Sequence, residues 1–300
     1  GYPAPKVKLL PTFYFPTDAG GLEAAVDSTP TTRRLEREYQ GRAVIPEDPE
    51  LSFYCELIED YADEWLTKAM FHYRWRHKAD RENAGPMLIF WSDVSAPTEI
   101  AEIAIAAITK RQYDRLYVVG SNDTTAATIE DSYLRFLDIF ENLLKIRGHA
   151  LGRRPSSADF AIFGQLSQLG VVEPTPSAVM GQRAPRVRAW LDRIEDLSGF
   201  EPADDDWFTA EEVRVALAPL LGEIGRVYAP FLRANAEAGA AGKDEFEAQI
   251  DGRPWTQPTF PYQIKCLHSL RSAYGALPGD VKRSVAPVLK EAALDVVFTD

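Results

Sequence analysis

Hydrophobic and polar positions follow two different rhythms along this chain. Residues 7–15, V-K-L-L-P-T-F-Y-F, have strand composition on both sides of Pro11, and a second short apolar run at 22–26 follows the turn T-D-A-G-G. The stretch D-S-T-P at 27–30 then opens a helix, with Ser28 as N-cap, Pro30 in the first turn where a missing N–H costs little, and Gly41 as the stop. From residue 51 the period becomes helical. Residues 51–75 carry Phe53, Tyr54, Leu57, Ile58, Tyr61, Trp65, Leu66, Met70, Phe71 and Tyr73, while Glu56, Glu59, Asp60, Asp63 and Glu64 take the remaining face. The polar stretch 77–85, a short apolar run and Pro97 read as loop, followed by helices at 98–113 and 125–147, the latter closed by Gly148.

Residues 152–169 read as a buried central helix. From Ala158 to Phe163 every position except Asp159 is apolar, which a surface helix does not tolerate, and Gly164 leaves room for a neighbouring backbone. Ser156 is placed to cap it, with the Asp159 carboxylate reaching back to the cap in an Asp variant of the capping box. A loop is expected at 174–181, then a helix with Val187, Trp190, Leu191 and Ile194 on one face and Gly199 as its stop. Beyond Phe200 the pattern predicts an acidic turn at 204–206 and one or two helices over 209–238. A short strand or hairpin around Phe246, Ala248, Ile250 and D-G-R-P-W follows, then helices at 261–274 and 278–294. No internal repeat is visible. The fold class is therefore mainly α with a small α/β part.

Charge narrows the partners. Asp and Glu total 45 against 33 Lys and Arg, a formal net charge of −12, which argues against a nucleic-acid surface or a polybasic membrane contact, although 147–154 is locally basic. Three hundred residues hold a core that needs no disulfide or metal staple. The two cysteines, Cys55 and Cys266, lie far apart in helix-like patterns, so a reducing, cytoplasmic setting is expected. No run looks long and apolar enough to span a bilayer, since 87–91 is short and 100–108 carries Glu102. The start at Gly1 rather than Met is compatible with processing, a tag remnant or truncation.

S-S-A-D-F at 156–160 leading into an apolar helix, followed by A-P-R-V-R-A-W-L-D-R-I-E-D at 184–196, resembles the C-terminal helical domain of the glutathione transferase superfamily. The resemblance implies a partial thioredoxin-like β-β-α lobe at 1–42 and a GST-like all-helical C-terminal domain at 43–200. A helical extension at 201–300 is expected to pack on the same unit. It also implies that the first half of the thioredoxin-like domain, with the Tyr, Ser or Cys that activates the glutathione thiol, is not among these residues, so no catalytic residue is assigned.

Three constellations follow from that resemblance. In the thioredoxin-like superfamily the proline at the place of Pro11 is cis, and the backbone of Leu10 would pair with the cysteinyl part of glutathione. Asp27 and Ser28, at a helix start, would hold the γ-glutamyl ammonium and carboxylate. Tyr61, Trp65, Lys68 and His72, with Tyr73 beside them, fall on one stripe of the first long helix, which in the family lines the electrophile pocket. The plainer reading makes those aromatics core and the charges a solvated rim.

Other patterns are discounted. The acids at 56–64 lack a Glu-x-x-His companion and are expected to be a solvated face; the four histidines are not expected to cluster, so no metal is expected. Cys55 and Cys266 read as neutral thiols, and Arg147, Arg153 and Arg154 as neutralising helix ends and nearby acids. The implied function is glutathione binding, with glutathione as co-substrate, and conjugation of its thiol to an electrophilic small molecule. The alternative is a non-catalytic GST-like binding or assembly module. The implied partners are the electrophile and a second copy in a homodimer, with neither nucleic acid nor membrane.

Overall fold

The computed structural model describes residues 2–39 and 41–299; Gly1, on which the reading of the start falls, and Gln40 and Asp300 lie outside the described residues. The chain divides into two compact units, Gly1–Ile45 and Pro46–Asp300. It is mainly helical, with two small antiparallel two-stranded sheets.

In the first unit β1 (Phe13–Pro16) pairs antiparallel with β2 (Leu22–Ala25), Phe13 opposite Ala25 and Pro16 opposite Leu22, and α1 (Ser28–Glu38) follows. The strand expected from residue 7 begins only at Phe13, because Pro11 has no N–H to give to a ladder. The turn is held by Thr17, whose Oγ1 accepts from the Gly21 N–H at 3.1 Å, with Gly20 at φ 78°. Among the described residues of this unit only Phe15 and Thr31 are buried. The Arg34 guanidinium lies 3.7 Å over the Phe15 ring and bonds Glu38 at 2.6 Å, so one cation ties helix to sheet.

The second unit starts at α2 (Pro49–Tyr61), capped by Asp48, which accepts from Glu50 and Leu51 N–H at 2.9 and 3.0 Å. A wide π-type turn, Ala62–Leu66, joins it to α3 (Thr67–Arg76), so the single long helix expected over 51–75 is present with one interruption. Two segments expected as loops are helices. All of the polar stretch but His77 lies in α4 (Lys78–Phe90), which continues into the apolar run, and 174–181 lies in α8 (Pro174–Arg183), where Pro174 occupies the first turn that tolerates it. Between them come α5 (Thr98–Tyr113), α6 (Ala126–Arg147, closed by Gly148 at φ 89°) and α7 (Ser157–Ser167). The Trp190 helix is α9 (Pro185–Glu195), burying Val187, Trp190, Leu191 and Ile194 as its period predicted.

α7 is the central helix. The Ser156 hydroxyl accepts from the Asp159 N–H at 3.4 Å, and Asp159 Oδ2 accepts from the Ser156 N–H at 2.9 Å. Both residues are fully buried. Its neighbours are α2 and α9, and α6 closes the same core through Tyr133, Phe136, Leu137 and Phe140.

Residues beyond 200 build onto this body. They form α10 (Ala210–Glu223), a second wide turn (Ile224–Tyr228), α11 (Ala229–Ala240), the hairpin β3 (Glu245–Ile250) and β4 (Arg253–Pro258), α12 (Pro261–Ala276), α13 (Gly279–Glu291) and α14 (Asp295–Phe298). Arg214 clamps buried Glu50 with two bonds of 2.6 Å, Arg135 clamps buried Glu223 with two of 2.8 Å, and Tyr228 Oη donates to Asp60 at 2.7 Å. These contacts correct the expected solvated acidic face, for Glu59 is buried against Ser157 and Asp60 is half covered.

The run Ala210–Ala240 is 31 residues long and apolar enough to cross a bilayer, contrary to the sequence expectation. In this fold 61 % of its most apolar window is buried inside the protein, and a core helix passes the same test.

Candidate functional site

In the first unit the Leu10–Pro11 peptide bond is cis. Phe13 pairs with Ala25, so Pro11, two residues before, and Asp27, two residues after, leave the hairpin at the same end. Helix α1 is capped by Asp27 rather than by Ser28: Asp27, at φ 80°, accepts from the Thr29 N–H at 3.3 Å, and Ser28 is the first helical residue. The N–H two residues beyond Asp27 belongs to Thr29, whereas two residues beyond Ser28 stands Pro30, which has no N–H to donate. Leu10 is 94 % exposed and Ser28 is exposed.

The stripe on α2 and α3 is present, but it points inward. Tyr61 and Trp65 are core side chains: Tyr61 meets the rings of Phe136 and Tyr228 at 6.1 and 6.0 Å, and Trp65 meets Phe231 at 5.8 Å and Trp255 at 5.4 Å. Trp65 Nε1 donates to Ser132 Oγ at 3.1 Å. The C-terminal elements α11 and β4 supply Phe231 and Trp255, so the extension covers the face that was expected to meet a second substrate.

Lys68 is 2 % exposed. Its ammonium donates to Gln257 Oε1 at 3.3 Å and stands 4.0 Å over the Phe231 ring. Burial pushes the amine down to about 7, with Glu64 offsetting part of the shift.

His72, also fully buried, belongs to a second polar cluster. Its Nε2 lies 3.0 Å from Glu130 Oε1, and His77 Nε2 lies 3.1 Å from the same oxygen. His72 Nδ1 lies 2.8 Å from Ser121 Oγ. The two imidazoles are 5.6 Å apart and Tyr73 stacks on His77 at 5.2 Å, so two of the four histidines do cluster, contrary to the sequence reading. Burial holds His72 below its ordinary value against the Glu130 hydrogen bond, and the His72 bond lowers Glu130. These three side chains, with ligand atoms all within 4.8 Å of one another, could hold a metal ion.

Residues 104–193 match a family model described as "Glutathione S-transferase, C-terminal domain". No curated protein and no solved structure matches the chain. The matched region runs from within α5 to within α9, so it holds the Ser156–Asp159 capping box and the apolar body of α7. Glu130 and Ser121 fall inside the matched region, whereas His72 and His77 precede it.

The cluster escaped sequence reading for a geometric reason. Residues five apart lie well off a common face on a continuous helix. Here α3 ends at Arg76 and His77 takes extended backbone, φ −75° and ψ 136°, before α4 begins. That corner swings the His77 ring back beside His72. The only available signal was two histidines flanking a helix end, which no spacing rule isolates.

Proposed function

We propose that the chain is a glutathione transferase-like protein that binds glutathione and joins its thiol sulfur to an electrophilic small molecule. The reading is carried by the match of residues 104–193 to the transferase C-terminal domain. It is supported by the β-β-α order of the first unit, with a cis Leu10–Pro11 bond before the first strand. In this reading the Leu10 backbone pairs with the cysteinyl part of glutathione beside Pro11, while Ser28 and the start of α1 take the γ-glutamyl carboxylate and Asp27 the ammonium. The thiol proton leaves, a carbon–sulfur bond forms, and the electrophile opens or releases its leaving group. The reading assigns binding to these four residues and thiol activation to none.

A reducing, cytoplasmic setting is part of the proposal, and Cys55 and Cys266 form no disulfide. So is pairing of two copies, for which Ile100 and Ile103 leave exposed apolar surface on α5. The burial of Tyr61, Trp65, Lys68 and His72 favours the second reading, a binding or assembly module without turnover.

Retention on immobilised glutathione, followed by a conjugation assay with a chloronitrobenzene, separates the two. Retention with turnover is expected for the transferase. Turnover contradicts the module, retention without turnover selects it, and passage through the matrix unretained contradicts the transferase.

A further inference from the structure

We propose that His72, His77 and Glu130 form a mononuclear site for a zinc-class divalent cation, with Ser121 orienting His72. This goes beyond glutathione chemistry and does not depend on it. Two imidazoles and a carboxylate, drawn from α3, the α3–α4 corner and α6, bring both Nε2 atoms to 3.0 and 3.1 Å from Glu130 Oε1, with ligand atoms of all three residues within 4.8 Å of one another.

The spacing suits an ion of that class. Around tetrahedral zinc, bonds of about 2.0–2.2 Å set ligand atoms about 3.4 Å apart. Both histidine nitrogens stand 3.0 to 3.1 Å from the Glu130 oxygen, so these two edges reach that spacing with an opening of a few tenths of an ångström, and the ligand atoms all lie within 4.8 Å of one another. Imidazole donors select first-row transition ions over Mg²⁺ or Ca²⁺, which prefer oxygen.

The surroundings match a metal site as well. A ligating histidine normally anchors its other nitrogen on a second group, which fixes the tautomer and ring plane. His72 does this through Nδ1, 2.8 Å from Ser121 Oγ. His72 is sealed, whereas the side chains of His77 and Glu130 remain 33 % and 35 % exposed. An ion there has an entry path and keeps a fourth position for water. The ion would tie the α3–α4 corner to the first turns of α6.

The test uses the full chain, stripped with a chelator and titrated with Zn²⁺ alone and, separately, with Co²⁺ as a spectroscopic probe. One ion per chain is expected, with the intense visible bands of four-coordinate cobalt. Glu130→Gln keeps an oxygen for both imidazoles, and His77→Ala changes a partly exposed side chain; each should weaken binding by more than about 100-fold, and Ser121→Ala by about 10- to 100-fold. His268→Ala, at an exposed histidine outside the cluster, should change nothing. Thermal midpoints in chelator confirm that each variant is folded, and should His77→Ala fail to fold, Glu130→Gln decides. Absence of stoichiometric binding, a six-coordinate cobalt spectrum, or binding that survives both ligand substitutions overturns the proposal and leaves a purely hydrogen-bonded cluster.

Discussion

Replacing Asp159 by Ala lowers the stability of the second unit by about 3–5 kcal/mol, because it removes a buried carboxylate that holds several donors at once. Its Oδ1 accepts from the Ala150 N–H at 2.8 Å, and its Oδ2 from the Ser156 N–H at 2.9 Å and the Ser156 hydroxyl at 2.6 Å. All three donors are buried, so none finds water when the acceptor goes. The helix also loses its reciprocal cap, at a cost of about 1 kcal/mol within that total. Urea unfolding should show a lower midpoint with an unchanged slope. Asp159→Asn keeps one oxygen and should fall between the two. A loss below about 1 kcal/mol for Asp159→Ala would mean that α7 is not organised by this carboxylate.

Lys68→Met has the opposite sign and a pH signature. Burial drives the folded-state amine down to about 7, from 10.5 in the unfolded chain. Between those values the unfolded chain binds a proton that the folded chain has shed, so stability rises with pH across that window. Below about pH 7 the full penalty of the buried charge is present. Methionine has no such penalty and fills a similar volume among Trp65, Phe231 and Trp255. The variant should therefore exceed the parent by a few kcal/mol at pH 6, less about 1 kcal/mol for the hydrogen bond lost to Gln257, and the advantage should fade towards pH 10. Chemical denaturation at pH 6, 8 and 10 measures the difference, in which all other titrations cancel. A variant no more stable than the parent at pH 6, or a gap that ignores pH, contradicts this account of Lys68.

Local signals in the sequence were legible, and signals that depend on what packs on top were not. The capping box at Ser156 and Asp159 could be read because its two halves lie three residues apart and close on each other wherever the helix is placed. The stripe Tyr61, Trp65, Lys68 and His72 could be read as a stripe. Its burial could not, since Phe231 and Trp255 that cover it come more than 150 residues later. Glu59 and Asp60 looked like solvent-facing acids for the same reason; their partners, Ser157 and Tyr228, are distant in sequence. α4 and α8 were missed because R-E-N-A-G-P and P-T-P-S resemble loop chemistry, although Pro174 sits where a helix start accepts it. The wide turns at 62–66, 168–172 and 224–228 insert a residue into otherwise regular helices, a change that no hydrophobic period reveals.

The glutathione reading places its ligand on four named residues of the first unit, and amide chemical-shift mapping addresses each of them but Pro11, which has no N–H. Reduced glutathione is titrated into the ¹⁵N-labelled chain and the shifts are followed to saturation. The account predicts saturable shifts centred on the amides of Leu10, Asp27, Ser28 and Thr29. Shifts that fail to appear, or that gather elsewhere on the chain, would contradict it.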